Sequence, residues 1–154
     1  MKIFLLGAVA TLLLSGCASK NAFSKLQMEP EQEKAVENTR SAKIISQDKV
    51  GGIFSAIYLN NIYNEIDKNT HFFYISTYLK EGNSDLLVLL NDERPLSTKK
   101  LPSSNKYSHL LDTNNKWTTN HLVTFTDTKS QDLNLSIGSG QFSSGLLKYS
   151  KDQQ

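Results

Sequence analysis

Beyond residue 43 the sequence breaks into short runs rich in Ile, Val, Thr, Phe and Tyr, each closed off by clusters of Asn, Asp, Gly, Ser and Lys. β-branched and aromatic side chains suit a pleated, half-buried surface and the intervening residues suit turns, so the pattern predicts strands rather than helices. The expected strands lie near 42–48, 53–63, 71–80, 85–91, 107–112, 120–127, 132–138 and 141–149. Strands at this spacing predict an all-β fold, an antiparallel β-sandwich of about seven or eight strands.

Alternation assigns faces. Leu133, Leu135 and Ile137 point one way while Asn134 and Ser136 point the other, and Val123 and Phe125 oppose Thr124 and Thr126. The run Leu86-Leu87-Val88-Leu89-Leu90 is apolar on both faces, which predicts a central strand covered on both sides. In 71–80, Phe73, Ile75 and Leu79 are expected in the core, leaving Phe72, Tyr74 and Tyr78 on the opposite face, with Tyr58 open to either. An exposed aromatic row marks a contact surface, so Phe72, Tyr74 and Tyr78 form the candidate interface. The alternative is that a neighbouring segment covers these rings or that they brace cross-strand pairs.

Two connections stand out. The stretch "DERPLSTKKLPSSNK", 92 to 106, holds two of the prolines together with Arg94, Lys99, Lys100 and Lys106, and is expected to be a surface loop. Its cations could meet anionic head groups, or simply be solvated and discourage edge pairing. The glycine-rich "SIGSGQFSSG", 136 to 145, reads as a bulge or tight hairpin between the last two strands.

The other informative region is the start of the chain. Met1 and Lys2 precede an apolar stretch from Ile3 to Leu14, followed by Ser15, Gly16 and Cys17, the only cysteine. A positive charge, an apolar core and small residues before a cut site are the parts of a secretion signal. The core is shorter than the about 20 apolar residues that a spanning helix needs to cross roughly 30 Å of hydrocarbon. Leu14-Ser15-Gly16-Cys17 resembles the bacterial lipoprotein box, L-[AS]-[GA]-C. That resemblance implies that residues 1–16 are a lipoprotein signal peptide. It also implies lipidation at Cys17, the first residue of the mature chain, with a diacylglycerol on its sulfur and a further acyl chain on its amine. Each buried methylene contributes about 0.8 kcal/mol, so several chains fasten the protein to the membrane durably. A single cysteine also rules out an internal disulfide, leaving packing to hold the domain. Ala18-Ser19 lacks the Asp that resembles an inner-membrane retention signal, which favours the outer membrane, at its periplasmic face or the cell surface.

Residues 17–43 differ in composition from the rest of the mature chain. "ASKNAFSKLQMEPEQEKAVENTRSAK" is rich in Glu, Lys, Gln and Asn and poor in large apolar residues, so it reads as a polar, partly helical tether to a β-sandwich domain at 44–154. Within it, Pro30 to Arg40 has good helix formers, acidic residues early and Arg40 at its end, which predicts a solvated helix without an apolar stripe.

Composition narrows the function classes. A net charge of +2, with 38% hydrophobic and 21% charged residues, fits an ordinary folded domain and no nucleic-acid partner. His71, His109 and His121 sit at no recognised metal spacing, so no metal site is expected. The glycines form neither G-x-G-x-x-G nor G-x-S-x-G, so neither a phosphate loop nor a nucleophile elbow is present. No cofactor is expected, and no catalytic residues; the chain does not read as an enzyme. Asp132-Leu133-Asn134-Leu135-Ser136 contains an N-x-S acceptor, making Asn134 a candidate glycosylation site; its acidic residue two before the Asn resembles the extended bacterial sequon.

The lipoprotein box and tether, with the strand run from "FSAIYLNN" through "HFFYISTYLKE" to "LNLSIGSGQF", are similar to small outer-membrane lipoproteins of Campylobacter and its relatives that carry a variant immunoglobulin-like domain. The resemblance implies an immunoglobulin-like sandwich with a binding or structural role in the cell envelope. The expected partners are the membrane, through the lipid anchor, and another envelope protein, met by a sheet face or by strand addition at an edge. The alternative function is a carrier or sensor of a small apolar ligand held between the sheets.

Overall fold

A computed structural model describes residues 28–67, 69–80, 86–111, 117–139 and 142–151. The expected signal peptide, Cys17 and the tether as far as residue 27 lie outside the described residues. In chain order come helix α1 (Pro30–Glu37), strands β1 (Thr39–Ser46) and β2 (Lys49–Tyr58), a 3-10 turn (Leu59–Asn61), β3 (Thr70–Leu79), β4 (Leu86–Leu90), β5 (Ser97–Leu101), β6 (Thr119–Thr126), β7 (Asp132–Ser139), β8 (Phe142–Ser144) and β9 (Leu147–Ser150). The protein is mostly antiparallel β, as the strand signals predict.

The strands join in one sheet rather than two. Their order is β4-β7-β8-β1-β2-β3-β6-β5, with β9 beside the first half of β7, from Asp132 to Leu135, and β8 beside its end at Gly138 and Ser139. Right-handed twist accumulates across so many strands until the sheet curls into a half-barrel. β1 and β2 join through a two-residue turn in which Gln47 (φ 47°) and Asp48 (φ 63°) take left-handed conformations, the mirror-image turn that matches strand twist.

Curling brings the two halves of the sheet together over one core. Phe54, Phe73, Val123 and Phe125 from β2, β3 and β6 pack against Val88, Leu133, Leu135, Ile137 and Tyr149 from β4, β7 and β9. Ring centroids of Phe73 lie 5.0 Å from Tyr58, 5.3 Å from Tyr149 and 6.0 Å from Phe125. The Tyr149 hydroxyl donates to the Ala56 carbonyl at 2.7 Å, tying β9 to β2 across the core. A second apolar layer forms on the convex face, where Ala35, Leu59, Ile62, Tyr107 and Leu110 cover Ile57 and Tyr74.

Several expectations are corrected. The described part of the expected strand 107–112, residues 107–111, is a run of turns: Asn105 accepts from the Tyr107 amide at 2.9 Å with its side chain and from the Ser108 hydroxyl at 2.7 Å with its carbonyl. A local Asx turn thus outcompetes the β preference of the run from Tyr107 onward. The connection 92–106 is not all loop, because Ser97–Leu101 pairs with β6 as an edge strand. The run 86–90 is not central either; β4 ends the sheet, with Leu86, Val88 and Leu90 turned to the core and Leu87 exposed. Finally, the boundary expected at residue 43 falls inside β1, and α1 is docked rather than solvated, with Ala35 fully buried. Its end is held by the Asn38 side-chain amide on the Lys34 carbonyl at 2.9 Å and by Arg40 on the Glu37 carbonyl at 2.6 Å.

Candidate functional site

The convex face is built from alternate residues of β1, β2, β3 and β6. Register places Ile57 beside Tyr74, Ser55 beside Ser76 and Ile53 beside Tyr78, while Ser41 on β1 meets Ser55, their hydroxyl oxygens 2.7 Å apart. Phe72, Tyr74 and Tyr78 do share this face, yet they meet different fates along it. Tyr74 is fully buried, its ring centroid 5.7 Å from that of Tyr107, and its hydroxyl accepts from the Asn105 side chain at 3.4 Å. Burial raises its pKa. Phe72 is half-buried in the same layer. As candidate interface residues, Tyr74 is therefore corrected to a core position and Phe72 to a partial one. The segments that cover them are α1, Leu59 with Ile62, and residues 105–111; the sequence reads α1 as tether and 105–111 as the end of a loop followed by a strand.

Tyr78, at the other end of β3, stays open. It is 42% exposed, its β2 partner Ile53 is 48% exposed, and Ile45 on β1 is 42% exposed. Ile45 follows the core residue Ile44, so it points to the convex side with Lys43, which sits opposite Ile53. Lys80 continues β3 past Tyr78 and is exposed, its amide bonded to the Gly51 carbonyl at 2.8 Å. The result is an apolar patch of Ile45, Ile53 and Tyr78 edged by Lys43 and Lys80. Between patch and covered layer runs a polar row, Ser41, Ser55, Ser76 and Asn120, in which the buried Ser76 hydroxyl and Asn120 side-chain oxygen find no hydrogen-bond partner among the described residues.

A cluster of ionisable groups runs from the core, at Tyr58 and His71, to the surface at Asp127. His71 Nδ1 is 2.8 Å from the Tyr58 hydroxyl, and its Nε2 is 3.1 Å from an Asp127 carboxylate oxygen, which also receives Lys151 at 2.6 Å. Nε2 lies 3.1 Å from the carboxylate and 3.4 Å from the Thr128 amide; with its proton on Nε2, aimed at the nearer carboxylate, the neutral ring accepts the Tyr58 proton at Nδ1. Burial lowers the His71 pKa, and the Lys151 charge lowers it further against the opposing pull of Asp127. Lys151 holds the Asp127 carboxyl below its ordinary range. Tyr58 is raised by burial and then by the Asp127 charge. A Tyr–His–Asp line resembles a proton relay, but Tyr58 and His71 are both buried, with the Tyr58 ring packed against Phe73 and Tyr149. The network braces the end of the half-barrel. Sequence reading missed it because its members lie on β2, β3, the turn after β6 and the residue after β9, and only tertiary structure joins them.

On the convex side, Met28, Gln32, Val36, Thr39, His109, Leu110 and Leu111 line a groove of about 410 Å³ between α1 and the 105–111 turns. One Glu31 oxygen holds its wall together, 3.1 Å from the Tyr63 hydroxyl and 3.3 Å from His109 Nε2. The Tyr63 phenol is pushed up to about 12, by burial first and then by the Glu31 hydrogen bond and charge.

Asn134 lies on β7, half-buried and directed away from the core as its neighbours Leu133 and Leu135 point in. Its amide donates to the Asn91 side chain at 2.9 Å. Cys17 is outside the described residues. Among the described residues no three His, Cys, Asp or Glu side chains gather as a metal site, and no helix is long and apolar enough to cross a membrane. Comparisons of the chain with protein-family profiles, curated proteins and solved structures give no match.

Proposed function

We propose that this chain is a lipid-anchored cell-envelope protein, fastened through Cys17, whose β domain binds another envelope protein through the Ile45–Ile53–Tyr78 face. The observation that supports this most directly is the uneven treatment of one sheet face. Its other end is sealed by α1 and residues 105–111, whereas three large apolar side chains remain at the β1–β2 end. Tyrosine beside aliphatic residues with lysines at the rim is the composition of a contact surface, and it fits a partner with an apolar patch bordered by acidic groups. The immunoglobulin-like resemblance of the sequence supports a binding module and no more. In place of two sheets the fold offers two opposed halves of one.

A photo-crosslinking residue in place of Tyr78, in the full chain expressed in a bacterial envelope, is expected to yield one dominant protein adduct. The same residue in place of the exposed Lys129 is expected to yield none. Adducts of equal yield at both positions, or at neither, would reject the face as a binding site.

The ligand-carrier alternative has a different location from the one expected. The space between the sheet halves is filled by the rings of Phe54, Phe73, Phe125 and Tyr149, so an apolar ligand would occupy the groove beside α1 instead. A lipid retained in native mass spectrometry, and lost in Leu110→Lys, would favour that reading over protein binding.

A further inference from the structure

β4 ends in a hairpin that stops after one rung. Leu90 and Glu93 exchange both backbone hydrogen bonds, at 3.0 and 2.9 Å, around Asn91 (φ 50°) and Asp92 (φ 66°). The next rung would set Val88 against Pro95, which has no N–H to give. Instead the chain crosses over, and the Leu96 amide bonds the Thr124 carbonyl at 2.8 Å beside β6. Among the described residues the outer edge of β4 before Leu90 is left open.

Backbone alternation shows which groups that edge presents. Leu90 turns its N–H and C=O outward to Glu93, so Val88 and Leu86 turn theirs outward as well, while Leu87 and Leu89 bond to β7. Among the described residues nothing pairs with Val88 or Leu86 on that side. The two edges of the sheet differ sharply in protection. β5, at the far end, carries exposed Lys99 and Lys100, a usual defence against pairing. β4 has no charge, no proline and no bulge, and Leu87 is 44% exposed.

We infer that the β4 edge is a seam for a second copy of this chain, paired antiparallel about a two-fold axis at Leu87. In that register Leu86 of one copy meets Val88 of the other, and every outward donor and acceptor of both residues is used. The Leu87 residues face each other as a non-hydrogen-bonded pair, with Cα atoms about 4.5 Å apart. An axis at Val88 would instead demand the Leu90 groups that Glu93 already holds. Leu86, Leu87 and Val88, the residues that form the paired rungs, are apolar on both faces, so these rungs meet without burying a charge. Pairing β4 with the β5 edge of another copy would lay Lys99 and Lys100 along leucines and leave an open chain of subunits, whereas the two-fold contact closes on itself. The seam is short against the roughly 800 Å² per partner of a stable interface, so the dimer belongs where copies are crowded, a condition that rests on the proposed membrane anchor.

The test is disulfide trapping in the full chain. Leu87→Cys is an exposed substitution, and facing Cα atoms at about 4.5 Å lie within disulfide reach. Oxidation of membranes carrying Leu87→Cys is expected to give a disulfide dimer in at least tenfold higher yield than Ile53→Cys or Lys99→Cys. Co-purification of two differently tagged copies is expected to persist in the wild type and vanish in Leu87→Lys. Equal trapping at all three positions, trapping at none, or tag co-purification that survives Leu87→Lys would overturn the seam. A disulfide dimer of the wild-type chain through Cys17 would count against the anchor alone, and the seam is still overturned if Leu87→Cys in the Cys17→Ser chain traps no dimer at high protein concentration.

Discussion

Gly52→Ala is expected to lower stability by about 1–3 kcal/mol, and Gly52→Val to cost more, enough to unfold a domain whose total stability is on the order of 5–15 kcal/mol. Gly52 sits on β2 between Ile44 of β1 and Leu79 of β3. A Cβ there would overlap the Tyr78 carbonyl oxygen and fall 2.8 Å from Leu79 Cδ2 and 3.3 Å from Leu79 Cα. The first of these atoms is main chain inside the β2–β3 ladder, so relief requires the strands to part. β2 and β3 contribute Phe54, Tyr58, Phe73 and Ile75 to the core, and parting them opens its centre. Gly145→Ala provides the contrast, because a Cβ at that position meets nothing within 4 Å. Urea unfolding should show a large drop in midpoint for the first variant and none for the second. Equal midpoints would contradict the close approach of β2 and β3.

Acid is expected to destabilise the domain before its carboxylates are protonated. His71 has a folded pKa below its ordinary value of 6.5, so the unfolded chain takes up the proton first. Stability therefore rises with pH between the folded value and about 6.5 and is lost as pH falls through that window. Asp127, also lowered, adds a loss of the same sign below its ordinary 3.8. His121, lowered by burial and then by the Lys100 charge, contributes in the same direction as His71. His71→Phe should thus reduce the slope of unfolding midpoint against pH between 5 and 7 without abolishing it. The same change should cost about 1–3 kcal/mol at neutral pH, because the buried Tyr58 hydroxyl loses its acceptor. A slope identical to wild type would show that His71 is not held neutral by the core.

How much can be read from the chain depends on which interactions are local. Strand alternation is local, and it places Phe73 and Ile75 opposite Tyr74 and Tyr78, and Leu133, Leu135 and Ile137 in the core, as the structure does. Strand neighbours are not local. Nothing in "LLVLL" distinguishes a central strand from an edge whose hairpin is cut short by Pro95, and nothing in "STKKL" says that its main chain pairs while both lysines stay in water. The fate of Tyr74 is hidden for a third reason. It depends on Ala35 and Tyr107, from a helix that lacks an apolar stripe and a run that looks like a strand until the Asn105 side chain turns it. The Tyr78 face is legible because it depends only on alternation; the His71 network is not, because its groups come from four distant positions.

The envelope role proposed for this protein stands on the fatty modification expected at Cys17, and fractionation of the full-length chain against Cys17→Ser measures it most directly. The wild type should sediment with membranes, resist carbonate extraction and show acyl chains in its intact mass, while Cys17→Ser should leave the membrane and carry none. A Cys17→Ser chain that stays with the membrane, or a wild-type mature chain without lipid, would contradict the reading of this protein as an envelope lipoprotein.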